Sequence, residues 1–205
     1  MRCDSRICAA VLCDDGGERL IIVERHIYIE NDRIALAEYL DKEDDRACYD
    51  CWQDEETQAG YNYCMTDTFE EFSASPKLSR FRAVIVRKTD DAIVGTVFVS
   101  PPHVLPDLAI MIYRPYREQG LGTAAFALAA EYCFGGLGLS EVYAGCYEGN
   151  VRSRKMLAAC GFVPHPAGNC KEEHFQTGEP IIQYDFVRRK YLAEKQDAFL
   201  RENEK

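Results

Sequence analysis

Residues 117–124, Arg-Glu-Gln-Gly-Leu-Gly-Thr-Ala, decide how the rest of the chain is interpreted. The apolar run Leu108–Ile112 precedes them, and an apolar pattern of helical period follows over residues 123–133. This order predicts a strand, a tight glycine loop and a helix. Glycines at positions 120 and 122 allow positive φ or the close approach of a ligand to the backbone. Consecutive N–H groups at a helix N-terminus favour a phosphate or pyrophosphate, so a phosphate-bearing cofactor is the leading interpretation.

The loop does not match two common phosphate-binding motifs. It lacks the Gly-x-Gly-x-x-Gly spacing of a dinucleotide-binding turn and the Gly-Lys-Ser/Thr ending of a P-loop, so ATP chemistry is not expected. A bare Gly-x-Gly also occurs where two glycines only make a tight turn between a strand and a helix. A second, independent signal is therefore needed.

That signal begins about twenty residues after the loop, a gap that fits one helix between two strands. Residues 141–146 are predicted to form a strand from their Val and Tyr content. Asn150 then opens a predicted helix with Ser153 in its first turn, and Gly161 is a natural residue to end it. Two motifs in this order are far more specific than either alone.

Together the motifs resemble the core of the GNAT acyl-CoA N-acyltransferases, where Arg/Gln-x-x-Gly-x-Gly/Ala precedes an Asn-x-x-Ser helix and Cys-Gly-Phe. The Ser153 form, with a predicted hairpin after Phe162, looks most like the RimJ/RimL branch, and the resemblance covers about residues 34–188. It implies the GNAT acyl-CoA N-acyltransferase fold, a mixed, mostly antiparallel α/β (α+β) sheet with helices on both faces. It also implies an N-acetyltransferase of the EC 2.3.1 type, with direct attack of an amine on acetyl-CoA in a ternary complex.

The resemblance places the donor site by position in the chain. The strand ending at Ile112 is similar to the one whose backbone pairs with the pantetheine arm, and residues 117–123 are similar to the pyrophosphate loop. Asn150 resembles an asparagine that contacts the cofactor near its thioester end. The implied cofactor-binding residues are Ile110, Met111, Ile112, Arg117, Glu118, Gln119, Gly120, Leu121, Gly122, Thr123, Asn150 and Ser153.

Candidate catalytic residues follow from the chemistry of acyl transfer to an amine, which needs a base and an acid for the leaving thiolate. The tyrosine acid frequent in the family is replaced by Leu157, so Ser153 is the natural substitute. Asp107 lies where the family often carries an acidic residue and is the first choice of base. Glu172 and Glu173 compete with it, because strand alternation turns one of them towards the cleft. For Asp107 the alternative to a catalytic role is a solvated residue at the start of a strand. For Ser153 it is an exposed serine in the first turn of a helix.

Charge bears on the acceptor. The 205 residues carry 24 Lys plus Arg against 34 Asp plus Glu, a net charge of −10. This balance disfavours nucleic acid as a partner and favours an incoming cation such as an amine, although solubility explains it equally well. No apolar run approaches 18 residues, so no membrane partner is expected, and the start lacks an apolar leader. A cytoplasmic location is the expectation.

The ten cysteines are expected to be structural thiols rather than metal ligands. Cys48 and Cys51 form a single C-x-x-C pair, which cannot by itself close a four-ligand zinc site. Cys3, Cys8 and Cys13 recur every five residues, which matches no metal spacing. We therefore expect no metal.

The chain is expected to contain one principal domain. Residues 1–33 form a β-rich extension with a predicted hairpin, residues 34–190 the acetyltransferase domain, and residues 191–205 a charged amphipathic C-terminal helix that packs on the surface or against a partner subunit in a homodimer. The acceptor stays open among a protein N-terminus, a polyamine and other small amines, and the acyl group among acetyl and longer chains. The alternative to an active acetyltransferase is a catalytically weak CoA-binding regulatory module. Two features favour it: Leu157 stands in place of the tyrosine, and Asp107 is shorter than a glutamate.

Overall fold

The computed structural model describes the backbone of residues 6–12 and 20–190, and the side chains of residues 24–190. Ten strands and five α-helices occur in this part of the chain. The strands are β1 Arg6–Leu12, β2 Leu20–Glu30, β3 Ile34–Glu38, β4 Phe81–Arg87, β5 Ala92–Val99, β6 Leu108–Ile112, β7 Glu141–Tyr147, β8 Val163–Pro164, β9 Cys170–Glu173 and β10 Pro180–Arg189. The helices are α1 Asp41–Trp52, α2 Glu55–Tyr61, α3 Phe69–Ala74, α4 Leu121–Gly135 and α5 Val151–Ala159.

The strands form two sheets that meet at one point. Strands β1 to β6 make an antiparallel sheet in chain order, and β10 pairs with β7, β8 and β9 in the second sheet. Asp107 and Tyr143 form a parallel bridge just before β6 and within β7, and the Tyr143 N–H donates to the carbonyl of Pro106 at 2.9 Å. In the described backbone β6 and β7 share no other bridge, so a cleft opens between them.

Helices cover both faces of the larger sheet. Alternate residues of β3 point to opposite faces, and all of Ile34, Ala35, Leu36 and Ala37 are fully buried. One face packs under α4 and α5, and the other under α1 and α3. The expected fold, a mostly antiparallel α/β sheet with helices on both faces, is therefore confirmed.

The predicted elements occur close to their predicted bounds. The N-terminal hairpin is present as the β1–β2 pair, and β2 continues the sheet by pairing with β3. Helix α3 begins with the predicted capping box, in which Thr68 and Glu71 bond to each other's backbone N–H groups. The hairpin turn and the predicted C-terminal helix over 191–205 lie outside the described residues. No helix among the described residues is long and apolar enough to span a bilayer.

Candidate active site

The glycine loop ends at a helix N-terminus that no side chain caps. Gly120 has φ 71°, in the left-handed region that glycine adopts without strain, and it is the N-cap residue of α4. No acidic residue lies in the first turn of α4, whereas α1, α2 and α3 all carry acids there. The first N–H groups of α4 and the positive end of its dipole are therefore available to an anion.

Gly122 has a different role from Gly120. It lies within α4, and no positive φ requires a glycine there. A Cβ built on Gly122 would lie 3.5 Å from Cγ1 of Ile112 and 3.9 Å from Sδ of Met156, which are ordinary contact distances. Nothing in the surrounding protein therefore requires a glycine, and a ligand approaching the backbone is the physical reason that fits.

Gly122→Ala distinguishes a glycine that the fold requires from a glycine that leaves room for a ligand. Because alanine is the better helix former, we expect the free energy of unfolding to stay constant or rise by up to about 1 kcal/mol. The affinity for acetyl-CoA should fall at least about tenfold, because the methyl group occupies the space of the ligand. Chemical denaturation and calorimetric titration measure the two quantities. A variant that binds acetyl-CoA normally would show that Gly122 does not face the cofactor.

On the edge of β6 that faces the cleft, backbone N–H and carbonyl groups form hydrogen bonds with side chains of the protein. The Ile110 N–H donates to Oη of Tyr61 at 3.1 Å, and the Tyr61 hydroxyl donates to the Ile110 carbonyl at 2.6 Å. Nε of Arg117 donates to the Ile112 carbonyl at 3.1 Å. Burial raises the pKa of Tyr61 above its usual range, so the hydroxyl stays protonated and keeps both roles. The Tyr61 ring packs against Trp52, with centroids 4.9 Å apart.

Helix α2, which the sequence did not predict, spans the cleft from the glycine loop to β9. At its start the Arg117 guanidinium contacts carboxylates of Asp54 and Glu56, each at 2.8 Å. At its end Asn62 donates to the Glu173 carbonyl and accepts from the Phe175 N–H, both at 2.9 Å. The Arg117 side chain is thus engaged with α2, while its backbone stands at the entrance of the loop.

Tyr61→Phe tests how much α2 depends on this hydroxyl. The substitution leaves the Ile110 N–H and carbonyl without their partner, so the free energy of unfolding should fall by about 1–3 kcal/mol. Tyr63→Phe is the matched control, because Tyr63 also packs on Trp52 but is exposed, and a change within about 0.5 kcal/mol is expected. Urea denaturation of the two variants measures the difference. Equal stabilities would mean that water replaces the hydroxyl without loss.

Asp107 stands where β6 and β7 meet. Its backbone N–H donates to Oγ of Ser100 at 2.9 Å, and the residue is exposed to solvent. Desolvation, and secondly the charge of Asp185, raise the pKa of Asp107 from 3.8 to about 7. Asp185 lies on β10 opposite Gly145 and accepts from Gln183 at 2.9 Å. A carboxyl group with a pKa near neutrality suits proton transfer.

The two glutamates of β9 face opposite sides of their sheet. Cys170 pairs with Gln183, so by alternation Glu172 shares a face with Gln183 and Asp185, whereas Glu173 points the other way. The Tyr147 hydroxyl donates to the Glu172 carboxylate at 2.6 Å. Glu172 is therefore the one of the pair on the face of Asp185, and Glu173 contributes its backbone carbonyl to Asn62.

Asn150 and Ser153 begin helix α5 as predicted. Oδ1 of Asn150 accepts from the Ser153 N–H at 3.0 Å, which is an N-cap interaction. Ser153 is half-buried, and within residues 24–190 its hydroxyl has no hydrogen-bond partner. Leu157 lies one turn later and is only 1% exposed, packed in the core. A leucine there is thus a core residue rather than a side chain lost from the cleft.

The cysteines of the described region are free thiols. Cys48 and Cys51 are buried under the sheet, and desolvation raises the pKa of Cys48 to about 11. Within the part of the chain with described side chains, no group of three or more His, Cys, Asp or Glu residues is arranged to hold a metal. The C-x-x-C pair therefore packs as two buried, protonated thiols.

Sequence reasoning missed three contributors to this site, namely helix α2 with Tyr61, the carboxylate of Asp185 and the Tyr147 hydroxyl. Each meets the site through a contact between residues far apart in the chain, such as the 49 positions between Tyr61 and Ile110. Helix α2 has seven residues and no repeating apolar positions, so periodicity could not detect it. The one local signal was the Asp54–Thr57 cap, in which Asp54 accepts from the Thr57 N–H.

The sheet arrangement, the cleft and the uncapped glycine loop together define an acyl-CoA acyltransferase architecture, and comparison with known proteins agrees. The acetyltransferase (GNAT) domain family model matches residues 25–163. The chain therefore belongs to the GNAT acetyltransferase family, and its activity class is that of an N-acetyltransferase.

Solved structures show the same fold at low sequence identity. The spermidine N-acetyltransferase of Vibrio cholerae, in complex with CoA and spermine, has a TM-score of 0.68 and 19% identity over 78% of this chain and 98% of that one. The ribosomal-protein-S5-alanine acetyltransferase of Vibrio fischeri has a TM-score of 0.60 and 20% identity over 77% and 94%. A GNAT acetyltransferase of Bacillus anthracis has a TM-score of 0.65 and 16% identity over 78% and 97%. No functionally curated protein matches the chain.

Proposed function

We propose that the protein transfers an acetyl group from acetyl-CoA to a primary amine by direct attack within a ternary complex. The single observation that supports this most is the position of Asp107, a carboxyl group where β6 and β7 meet at the closed end of the cleft. A module that only bound CoA would need no carboxyl group at this place, whereas an amine acceptor needs a group that takes its proton. The uncapped glycine loop supplies the matching donor site.

The donor lies along β6 in this proposal. Its pyrophosphate binds the N–H groups at the start of α4, next to Gly122. Its pantetheine arm runs towards Ile110 and replaces the Tyr61 hydroxyl as partner of the strand backbone. The Ile110 N–H, which already donates to an oxygen in this structure, would then stabilise the oxyanion that develops on the thioester carbonyl.

The amine arrives as an ammonium ion, because amines of the lysine type have pKa values near 10. Asp107 and Asp185, with Glu172 on the same face of the second sheet, give this part of the cleft a negative potential. Asp107 accepts a proton from the ammonium, directly or through one water. The free amine attacks the thioester carbon and forms the C–N bond. As the tetrahedral intermediate collapses and the C–S bond breaks, Ser153 donates its proton to the departing sulfur and takes the second proton from the nitrogen, so the serine ends neutral.

Asp107→Asn tests the base. Wild-type kcat/KM should rise with pH through about 7, where Asp107 becomes ionised. In the variant kcat/KM at pH 7 should fall on the order of 100-fold, and its pH dependence should shift towards the pKa of the amine itself. Glu172→Gln and Glu173→Gln serve as controls that keep the wild-type profile. A normal profile in Asp107→Asn, with a collapsed one in Glu172→Gln, would move the base to β9.

The same pKa can be checked without activity. Between 3.8 and about 7 the folded protein binds a proton at Asp107 that the unfolded chain does not. This group therefore makes the free energy of unfolding decrease as pH rises through that window. Asp107→Asn removes this pH-dependent decrease. The free energy of unfolding of the variant minus that of the wild type should therefore be greater at pH 8 than at pH 4. An identical difference at both pH values would contradict the raised pKa.

Ser153→Ala addresses the leaving group. If Ser153 donates to the departing thiolate, kcat should fall while KM for acetyl-CoA stays constant, because the interaction forms only in the transition state. Steady-state kinetics with saturating amine measure both parameters. An unchanged kcat would assign the proton to water or another group.

The acceptor is best found with a panel that holds peptides with free N-termini, polyamines and small amines, incubated with acetyl-CoA. Free thiol release and product mass should be recorded together. The proposal predicts one acetyl group gained per thiol released for at least one class of amine. Tight acetyl-CoA binding without release for any amine would favour the CoA-binding regulatory module.

A further inference from the structure

Four arginines surround the glycine loop, and they differ in their partners. Three of them contact carboxylates: Arg87 with Asp90 at 2.6 Å, Arg117 with Asp54 at 2.8 Å, and Arg152 with Glu56 at 2.8 Å. The fourth is Arg33, on the turn between β2 and β3. Among residues 24–190 no carboxylate lies within ion-pair distance of its guanidinium, so its charge is not neutralised there.

The Arg33 guanidinium lies beside the N-terminus of α4. Its Nη2 donates to the Gln119 carbonyl at 3.2 Å, and a Cβ built on Gly120 would lie 3.8 Å from Nη2 and 3.9 Å from Nη1. The bond to Gln119 uses one of its donors, and the side chain is exposed. The remaining N–H groups are free to meet an anion at the same helix end.

The backbone that carries Arg33 is fixed, although the side chain is exposed. Its N–H donates to Oδ1 of Asn31 at 2.9 Å, and its carbonyl accepts from the Lys88 N–H at 3.0 Å. The neighbouring Arg87 donates to Oε1 of Gln119 at 3.0 Å, so one glutamine holds both arginines at the loop. A ligand that binds here needs to order only the outer part of the Arg33 side chain.

Local positive charge matters in this protein because the whole chain carries a net charge of −10. A multiply charged anion approaches such a surface against an unfavourable mean potential, so binding depends on local cations. The helix dipole of α4 supplies part of this local charge. A guanidinium beside it adds charge-assisted hydrogen bonds that a phosphate accepts well.

We propose that Arg33 binds a phosphate group of the acyl donor and sets its affinity, an inference that rests on the proposed acetyl-CoA function. Coenzyme A offers two such groups, the pyrophosphate and the 3′-phosphate, and both have the chemistry that a guanidinium recognises. Arg33 lies at the helix end, away from the carboxyl group of Asp107. It therefore acts on donor binding and not on the chemical step.

The test uses Arg33→Ala and Arg33→Lys in the full chain, with Arg46→Ala as the matched control. Arg46 is an exposed arginine on α1 that pairs with Asp50 at 3.2 Å, so its loss changes the net charge equally. Arg33→Ala should weaken acetyl-CoA binding about tenfold, the loss of one charge-assisted hydrogen bond. KM for acetyl-CoA should rise to match while kcat stays constant, and Arg33→Lys should fall between.

A second arm repeats the titrations with 3′-dephospho-acetyl-CoA. An effect of Arg33→Ala that disappears with this donor assigns the guanidinium to the 3′-phosphate, and an effect that persists assigns it to the pyrophosphate. Wild-type affinity in Arg33→Ala, or an equal loss in Arg46→Ala, would overturn the inference. Failure of the proposed function looks different, because the wild-type protein itself would then not bind acetyl-CoA.

Discussion

The separation of β6 from β7 is the constraint on which the rest of the site depends. The two strands meet at Asp107 and Tyr143 and share no further bridge in the described backbone. A strand edge inside a protein must find partners for its N–H and carbonyl groups. Here a tyrosine hydroxyl and an arginine supply them at Ile110 and Ile112, in place of a neighbouring strand. The cleft is therefore a sheet edge held open by side chains, which a ligand with amide groups of its own can enter.

Helix α2 follows from the same constraint. It carries Tyr61, its first turn binds Arg117, and the residue after it is fixed to β9 through Asn62. These polar contacts, rather than a continuous apolar face, hold the helix across the cleft. Each contact is replaceable by a hydrogen bond from a ligand, at little net change in free energy. Helix α2 thus crosses the cleft mainly on polar contacts, which is typical of parts that adjust on binding.

The sequence contained most of the proposed donor site and little of the proposed acceptor site. Gly120, Gly122 and Asn150 are tied to local structure, a strand-to-helix turn and a helix cap, so short motifs locate them. The same holds for the Thr68 capping box and the alternating strands β3 to β6. Asp185, Tyr147 and Tyr61 reach the cleft only through strand register and tertiary packing. No local pattern encodes those distances, so the structure was needed to show which sides of the sheet Glu172 and Glu173 face and to find the neighbour that raises the pKa of Asp107.

The distribution of charge separates two tasks in one cleft. At the glycine loop Arg33, which has no carboxylate partner among residues 24–190, and the α4 dipole create a small positive region within a chain of net charge −10. On the second sheet, Asp185 and Glu172 share one face, and the charge of Asp185 acts on the proposed base, Asp107. Under the proposed function, an anionic donor and a cationic acceptor would be drawn to different ends of the same opening, and each would be repelled from the place of the other. The repulsion between Asp107 and Asp185 would then have a further consequence, since it disfavours the ionised form of the proposed base until an ammonium ion arrives. Binding of an ammonium ion would lower the pKa of Asp107 and so ionise it, which places a carboxylate beside the acceptor at the moment when the acceptor has to lose a proton.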